Sequence, residues 1–227
     1  MRKIIFTVGI MSIILSCGPS RFVEPLDKKQ ISIGGNFGGP IIDFGGPIPI
    51  PISSIEIGYG IDTNMTVFGT AHTTSLLFGN LQMDFGATFK LLNQTKYVPN
   101  ISVSPGFNFI YSLSGATGKF WPTVDANVYW NYGKNQSYFY LGINNYFELS
   151  STMANNQPQA SYWLFNPQIG HILKGKNDKG QFTAELKWLG PNQRNDYAFI
   201  PYYTPQGSNG ALGLYLGYRW ILKNKTK

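Results

Sequence analysis

Leu81-Gln82-Met83-Asp84-Phe85-Gly86-Ala87-Thr88-Phe89-Lys90-Leu91 alternates without a break: Leu81, Met83, Phe85, Ala87, Phe89 and Leu91 share one face, and Gln82, Asp84, Gly86, Thr88 and Lys90 the other. Successive side chains of a β-strand point to opposite faces, so a period of two predicts a strand with one apolar and one polar side. The run is about eleven residues long, the length with which a tilted strand crosses a bilayer. Near the end of the chain the pattern returns, with Leu212, Leu214, Leu216, Tyr218, Trp220 and Leu222 set against Ala211, Gly213, Tyr215, Gly217 and Arg219.

Working outward from these two runs, no stretch of helical period and useful length follows Lys29, and further strands are expected near 30–42, 53–61, 65–78, 100–113, 122–132, 137–148, 160–173 and 181–189. In 122–132, for example, Val124, Ala126, Val128 and Trp130 separate from Thr123, Asp125, Asn127 and Asn131; in 181–189, Phe182, Ala184, Leu186 and Trp188 separate from Thr183, Glu185 and Lys187. The glycines Gly34, Gly35, Gly38 and Gly39 and Pro40 interrupt the first strand and predict a bulge or edge there. The fold expected is all-β, an antiparallel up-and-down transmembrane β-barrel of about ten strands, within a range of eight to twelve.

The connections support this order. Long links at 43–52, 114–121, 149–159 and 190–209 alternate with short turns at 62–64, 133–136 and 174–180, as in barrels with long external loops and short periplasmic turns. Two connections break the alternation: Gly79-Asn80 is short where a long one is due, and 92–99 is long where a short one is due. An even strand number places both chain ends on one side, and Lys134, Lys174, Lys176, Lys179, Lys223, Lys225 and Lys227 then gather on that side, near lipid phosphates. Alternation does not say which face is outside. A soluble β-barrel with reversed faces, holding an apolar ligand within, has the same period; it lacks the Gly-x-Trp opening of the lipocalins.

Composition points toward a membrane barrel. Charged residues make up 13% and aromatics 15%, and the 26 glycines are scattered rather than gathered in a linker. The formal charge of +7 falls to +5 without Arg2 and Lys3, a modest excess with no clustered basic and stacking face for nucleic acid.

Those two cations precede an apolar run, Ile4 to Ser16, too short to span a bilayer and typical of a secretory signal. The run closes on the only cysteine, and Ile14-Leu15-Ser16-Cys17 resembles the bacterial lipobox. Gly213-Leu214-Tyr215-Leu216-Gly217-Tyr218 resembles the C-terminal signal by which outer-membrane barrels are recognised for insertion, although here the chain continues to Lys227. The chain is thus similar to the broad class of lipid-anchored outer-membrane β-barrels of Gram-negative bacteria. That resemblance implies a signal at 1–16, lipidation of Cys17, a periplasmic spacer at 17–28, a barrel at 29–222 and a basic tail at 223–227. Its implied partners are membrane lipids and the outer-membrane insertion machinery. The role it implies is structural, ligand-binding or narrow transport, without catalysis; the small-molecule or glycan ligand is open.

Chemistry is sparse along the polar faces. Glu56, Asp84, Lys90, Asp125, Glu148, Glu185, Lys187 and Arg219 are expected to line the lumen with Tyr138, Tyr140, Asn144 and Tyr215, as a paired, hydrogen-bonded filling or as a narrow solute path. On the loop at 195–205, the four aromatics Tyr197, Phe199, Tyr202 and Tyr203 are candidates for binding a sugar or apolar ligand, or for packing across the mouth. A third reading, a rim hydrolase, would need His72 as its base; Ser75 falls on the opposite strand face, and no acid is expected near the imidazole. His171 shares an apolar face near a turn. Two separate histidines and no free thiol make no metal site, Gly34 to Gly46 has no P-loop lysine, and no cofactor is expected.

Overall fold

The computed structural model describes residues 18–19, 22–152, 158–159, 161–176, 179–196, 198 and 200–222. The strands are β1 (Ile31–Asp43), β2 (Pro47–Pro49), β3 (Ile52–Asp62), β4 (Met65–His72), β5 (Asn80–Leu92), β6 (Asn100–Ser112), β7 (Gly118–Tyr132), β8 (Ser137–Phe147), β9 (Trp163–Lys174), β10 (Gly180–Arg194) and β11 (Asn209–Leu222). Apart from the short β2, each strand is antiparallel to its sequence neighbour, and β11 returns to β1 from Ile31↔Leu222 to Pro40↔Gly213. Ten strands therefore close into an up-and-down barrel, and closure leaves no edge with unpaired N–H and C=O groups.

The period of two decides the faces. Outward positions are mainly apolar or small, among them Ile33, Phe37, Ile55, Ile57, Leu141, Ile143, Ile169, Leu186, Leu214 and Leu216, all well exposed, with Asn145 and His171 as polar members that bond Trp163 and Tyr132. Inward positions carry Ser32, Ser54, Glu56, Thr66, Thr70, Asp84, Thr88, Ser102, Asn108, Asn127, Asn144, Asn166, Gln168, Glu185, Lys187 and Arg219, all buried. Among the described residues, none of the outward positions between the strand ends carries Asp, Glu, Lys or Arg. Exposed aromatics mark both borders: Tyr59, Trp130, Tyr132, Phe139 and Trp220 toward one end, and Phe120, Phe147 and Trp163 toward the other. This arrangement is the reverse of a carrier with an apolar interior, which removes the reversed-face reading.

One end, the turn end, holds the start of β1, the close of β11 and the connections 63–64, 93–99, 133–136 and 175–179; the other, the loop end, holds the remaining connections. The strand expected over 65–78 stops at His72, and Thr73–Leu77 forms one helical turn. Thr-Thr-Ser-Leu-Leu has no alternation, and Thr73 and Thr74 instead share hydroxyl contacts with Ser53. The connection taken as the short Gly79-Asn80 is therefore a longer loop, as its side of the barrel requires. In the first link, Ile41–Asp43 pairs with Pro47–Pro49 as a small hairpin. Pro105 faces outward on β6 and has no N–H to donate; beside it the β5–β6 register runs unpaired between Gly86↔Gly106 and Phe89↔Val103.

The interior is filled. Of the segment expected as a periplasmic spacer, 17–28, the stretch from Phe22 to Leu26 lies inside the barrel, where Phe22 is 1% exposed and Val23 0% and Leu26 is buried as well, while Asp27 and Lys28 are exposed. Val23 packs among Tyr129, Tyr138, Tyr140 and Ile172, while Phe22 and Leu26 pack with Ile221 and Phe68. The core of this protein is therefore its lumen, built from wall side chains and the chain's own N-terminal stretch.

Candidate functional site

Two ion pairs and one histidine–carboxylate contact line the lumen wall. Arg219 on β11 and Glu56 on β3 both lie opposite Gly34 on β1, the strand between them. A glycine there lets the two side chains meet: an added Cβ would sit 3.0 Å from Glu56 Oε1 and 2.9 Å from the Tyr218 carbonyl. Arg219 Nη2 and Nε reach Glu56 Oε1 at 2.6 and 2.7 Å, and Asn36 Nδ2 donates to Glu56 Oε2 at 3.2 Å. Glu185 and Lys187, two apart on β10 and so on one face, pair at 3.3 Å, and Tyr140 donates its hydroxyl to Glu185 Oε2 at 2.7 Å. His72 Nε2 lies 2.8 Å from Asp84 Oδ2, and Asn108 Nδ2 donates to Asp84 Oδ1.

The acid absent from the sequence expectation is thus Asp84, on the strand beside His72. Ser75 donates its hydroxyl to Gln82 Oε1 at 2.6 Å, and His72 is 3% exposed. His171 faces outward, stacked on Phe139 with ring centroids 4.0 Å apart and bonded to the Tyr132 hydroxyl at 2.6 Å.

The other expected lumen residues divide by depth. Asp125 accepts from Asn144 Nδ2 within the barrel. Lys90 lies toward the turn end, where with Lys96, Lys134, Lys174, Asp27 and several Asn and Gln side chains it lines an open polar bowl of about 750 Å3. Glu148 sits past the end of β8 at the loop mouth, where Trp121 Nε1 donates to its Oε2 at 2.8 Å, Lys119 pairs with it at 3.1 Å and the Ser150 N–H donates to Oε1 at 2.8 Å. Burial raises the carboxyl of Glu148, but these donors outweigh it and hold the group below its ordinary value. A cavity of about 150 Å3 opens beside it, between Trp121, Tyr146 and Trp163.

The aromatic loop is held as an added rung. Ile42 bridges to Tyr202, and the Tyr203 N–H donates to the Ile41 carbonyl at 2.9 Å, so both tyrosines lie along the end of β1. Tyr197, Phe199, Cys17 and the basic tail 223–227 lie outside the described residues. Among the described residues no group of three His, Cys, Asp or Glu side chains is placed to hold a metal ion.

The N-terminal stretch is held mainly by its backbone. Ser102 Oγ donates to the Val23 carbonyl at 2.6 Å, Thr88 Oγ1 to the Phe22 carbonyl at 3.0 Å and Lys187 Nζ to the Gly18 carbonyl at 2.9 Å, and the Leu26 N–H donates to Thr66 Oγ1 at 2.7 Å. Closer to the mouth, the Lys29 N–H reaches the Gly60 carbonyl at 2.7 Å. Glu24 pairs with Lys174. The Phe22 ring fits over Gly58, where a Cβ would come within 2.3 Å of its Cζ. Burying Phe22, Val23 and Leu26 contributes about 1.5–3 kcal/mol each, and ordering the backbone from Phe22 to Leu26 costs about 1–2 kcal/mol per residue. The two nearly cancel, so the hydrogen bonds to Thr66, Thr88 and Ser102 decide whether the stretch stays seated. None of this was legible in the sequence, because Phe22-Val23-Glu24-Pro25-Leu26 is too short to show a period.

Neither a family model nor a curated protein matches this chain. Among solved structures it is similar to the outer membrane protein OprG from Pseudomonas aeruginosa, with 13% identity, 89% of this chain and 100% of that chain covered, and a TM-score of 0.34.

Proposed function

We propose that this protein is an outer-membrane β-barrel of a Gram-negative bacterium, anchored additionally by a lipid on Cys17, with a structural, ligand-binding or narrow-transport role and no catalysis. The observation that carries the proposal is the outer surface: an apolar belt that among the described residues holds no Asp, Glu, Lys or Arg between the strand ends, bordered at both ends by exposed aromatics such as Trp130, Trp220, Phe120 and Trp163. Water around such a belt would be costly, whereas lipid solvates it and the aromatic borders suit the headgroup zone. Lys134, Lys174, Lys176 and Lys179 stand at the turn end, in keeping with a periplasmic rim near lipid phosphates. Insertion would require the cellular machinery that assembles such barrels.

The mixed charge of the lumen, where Glu56, Glu185 and Asp84 each meet a basic partner, fits a narrow polar path better than a charge-selective pore. At the loop end Tyr202, Tyr203 and the cavity beside Trp121 are the places for a small or glycan ligand.

The test uses Cys17→Ser protein exported by a conventional secretion leader. Retention in outer membranes after carbonate extraction, with a heat-modifiable band on electrophoresis, is expected. Release as a folded, soluble protein would overturn the reading.

A further inference from the structure

We infer that the lumen is a recognition site for an extended polypeptide, and that the chain's own residues 22–26 are its resident ligand, a plug that seats and withdraws through the turn end. The inference rests on the membrane-barrel reading above and adds the occupant and its exchange.

The site is built to hold backbone. Ser102 and Thr88 donate to successive carbonyls, of Val23 and Phe22, and Thr66 accepts the N–H of Leu26, so three wall strands read main-chain atoms. Side chains then add sockets. Phe22 rests on Gly58 with Arg219 at 3.8 Å above its ring and Phe68 stacked at 5.8 Å; Val23 enters the pocket of Tyr129, Tyr138, Tyr140 and Ile172; Glu24 meets Lys174. An aromatic followed by an aliphatic and an acid defines the class of peptide the lumen takes.

The same contacts allow release. From Phe22 to Leu26 the segment enters no strand ladder, so withdrawing that stretch breaks bonds to wall side chains, the hydroxyls of Thr66, Thr88 and Ser102 and the ammonium of Lys174, and leaves the barrel closed by β1 and β11, while Lys29 and Gln30 keep their backbone bonds to Gly60. Below it the open bowl gives the segment room. Seating also bears on the anchor. With the Gly18 carbonyl at Lys187 inside the barrel, a lipid on the adjacent Cys17 reaches the turn-end leaflet only if Gly18 and the stretch from Phe22 to Leu26 leave the lumen. The seated and the turn-end-anchored arrangements therefore exclude one another.

The experiment places a reporter on the plug of the full chain, as Cys17→Ser with Val23→Cys, and measures maleimide labelling of the folded barrel in lipid vesicles. At Val23, labelling at least tenfold slower than in heat-unfolded protein is expected. Gly58→Val, whose side chain intrudes on the Phe22 ring, is expected to speed labelling at least tenfold; Phe22→Ala does so from the plug side and leaves the wall intact, should the Gly58 variant not fold. In planar bilayers Phe22→Ala is expected to raise the mean current over the otherwise unchanged chain at least tenfold. Fast labelling of a folded, heat-modifiable barrel overturns the plug and leaves the barrel reading standing. Absence of the heat-modifiable band defeats the barrel reading itself. Labelling unchanged by both substitutions shows a fixed core segment and overturns the exchange.

Discussion

Arg219 lies over the ring of Phe22, 3.8 Å from its centroid, while its Nη2 pairs with Glu56 at 2.6 Å. One cation thus ties β11 to β3 across Gly34 and covers the aromatic of the segment that fills the barrel.

Arg219→Met retains length over Phe22 and leaves Glu56 buried without its guanidinium. Removing one partner of a buried pair costs about 3–5 kcal/mol, because the remaining charge keeps its desolvation penalty. The expected outcome is a matching loss of stability in urea unfolding from lipid vesicles, most of it recovered when Glu56→Gln is added. A loss below about 1 kcal/mol would mean that the pair behaves as a solvated one and that the lumen is wet.

Leu216 faces outward at the middle of β11, paired with Phe37 and Ala184, and is 41% exposed. Leu216→Arg is expected to cost about 2–4 kcal/mol in vesicles, the value for a cation facing the bilayer midplane. On a water-facing surface the same change would stay within about 0.5 kcal/mol. Unfolding curves of the variant in lipid decide between the two.

Glu148 carries the pH dependence of the loop mouth. Its folded value lies below its unfolded one, so the stabilisation is complete above the ordinary glutamate range and is lost as pH falls through the lowered folded value. Acid titration of the difference in indole fluorescence between the wild type and Trp121→Phe is expected to show Trp121 losing its Glu148 contact below the ordinary carboxylate range. Glu148→Gln should remove that transition. A transition that persists in Glu148→Gln would assign it to another group.

The strands were legible because half-buried β-structure writes its faces into alternate residues. Leu81–Leu91 and Leu212–Leu222 differ from their observed strands, Asn80–Leu92 and Asn209–Leu222, only at the ends. Register was harder. Reading Gly79-Asn80 as a two-residue turn would set Phe78 opposite Leu81 and Ser75 opposite Asp84; the helical turn at Thr73–Leu77 shifts the pairing to Thr70↔Asp84. That shift makes Asp84 the diagonal neighbour of His72 and explains why no acid was expected beside the imidazole.

Alternation of apolar and polar residues, an even number of long strands and sparse charge were enough to specify an antiparallel barrel with both ends on one side, because these depend on neighbours along the chain. Which face is outside, which charges meet across Gly34, and the entry of Phe22 and Val23 into the lumen required the closed barrel. Those contacts join residues as distant as Glu56 and Arg219, or Gly18 and Lys187, and closure alone sets the register and the interior width that bring them together.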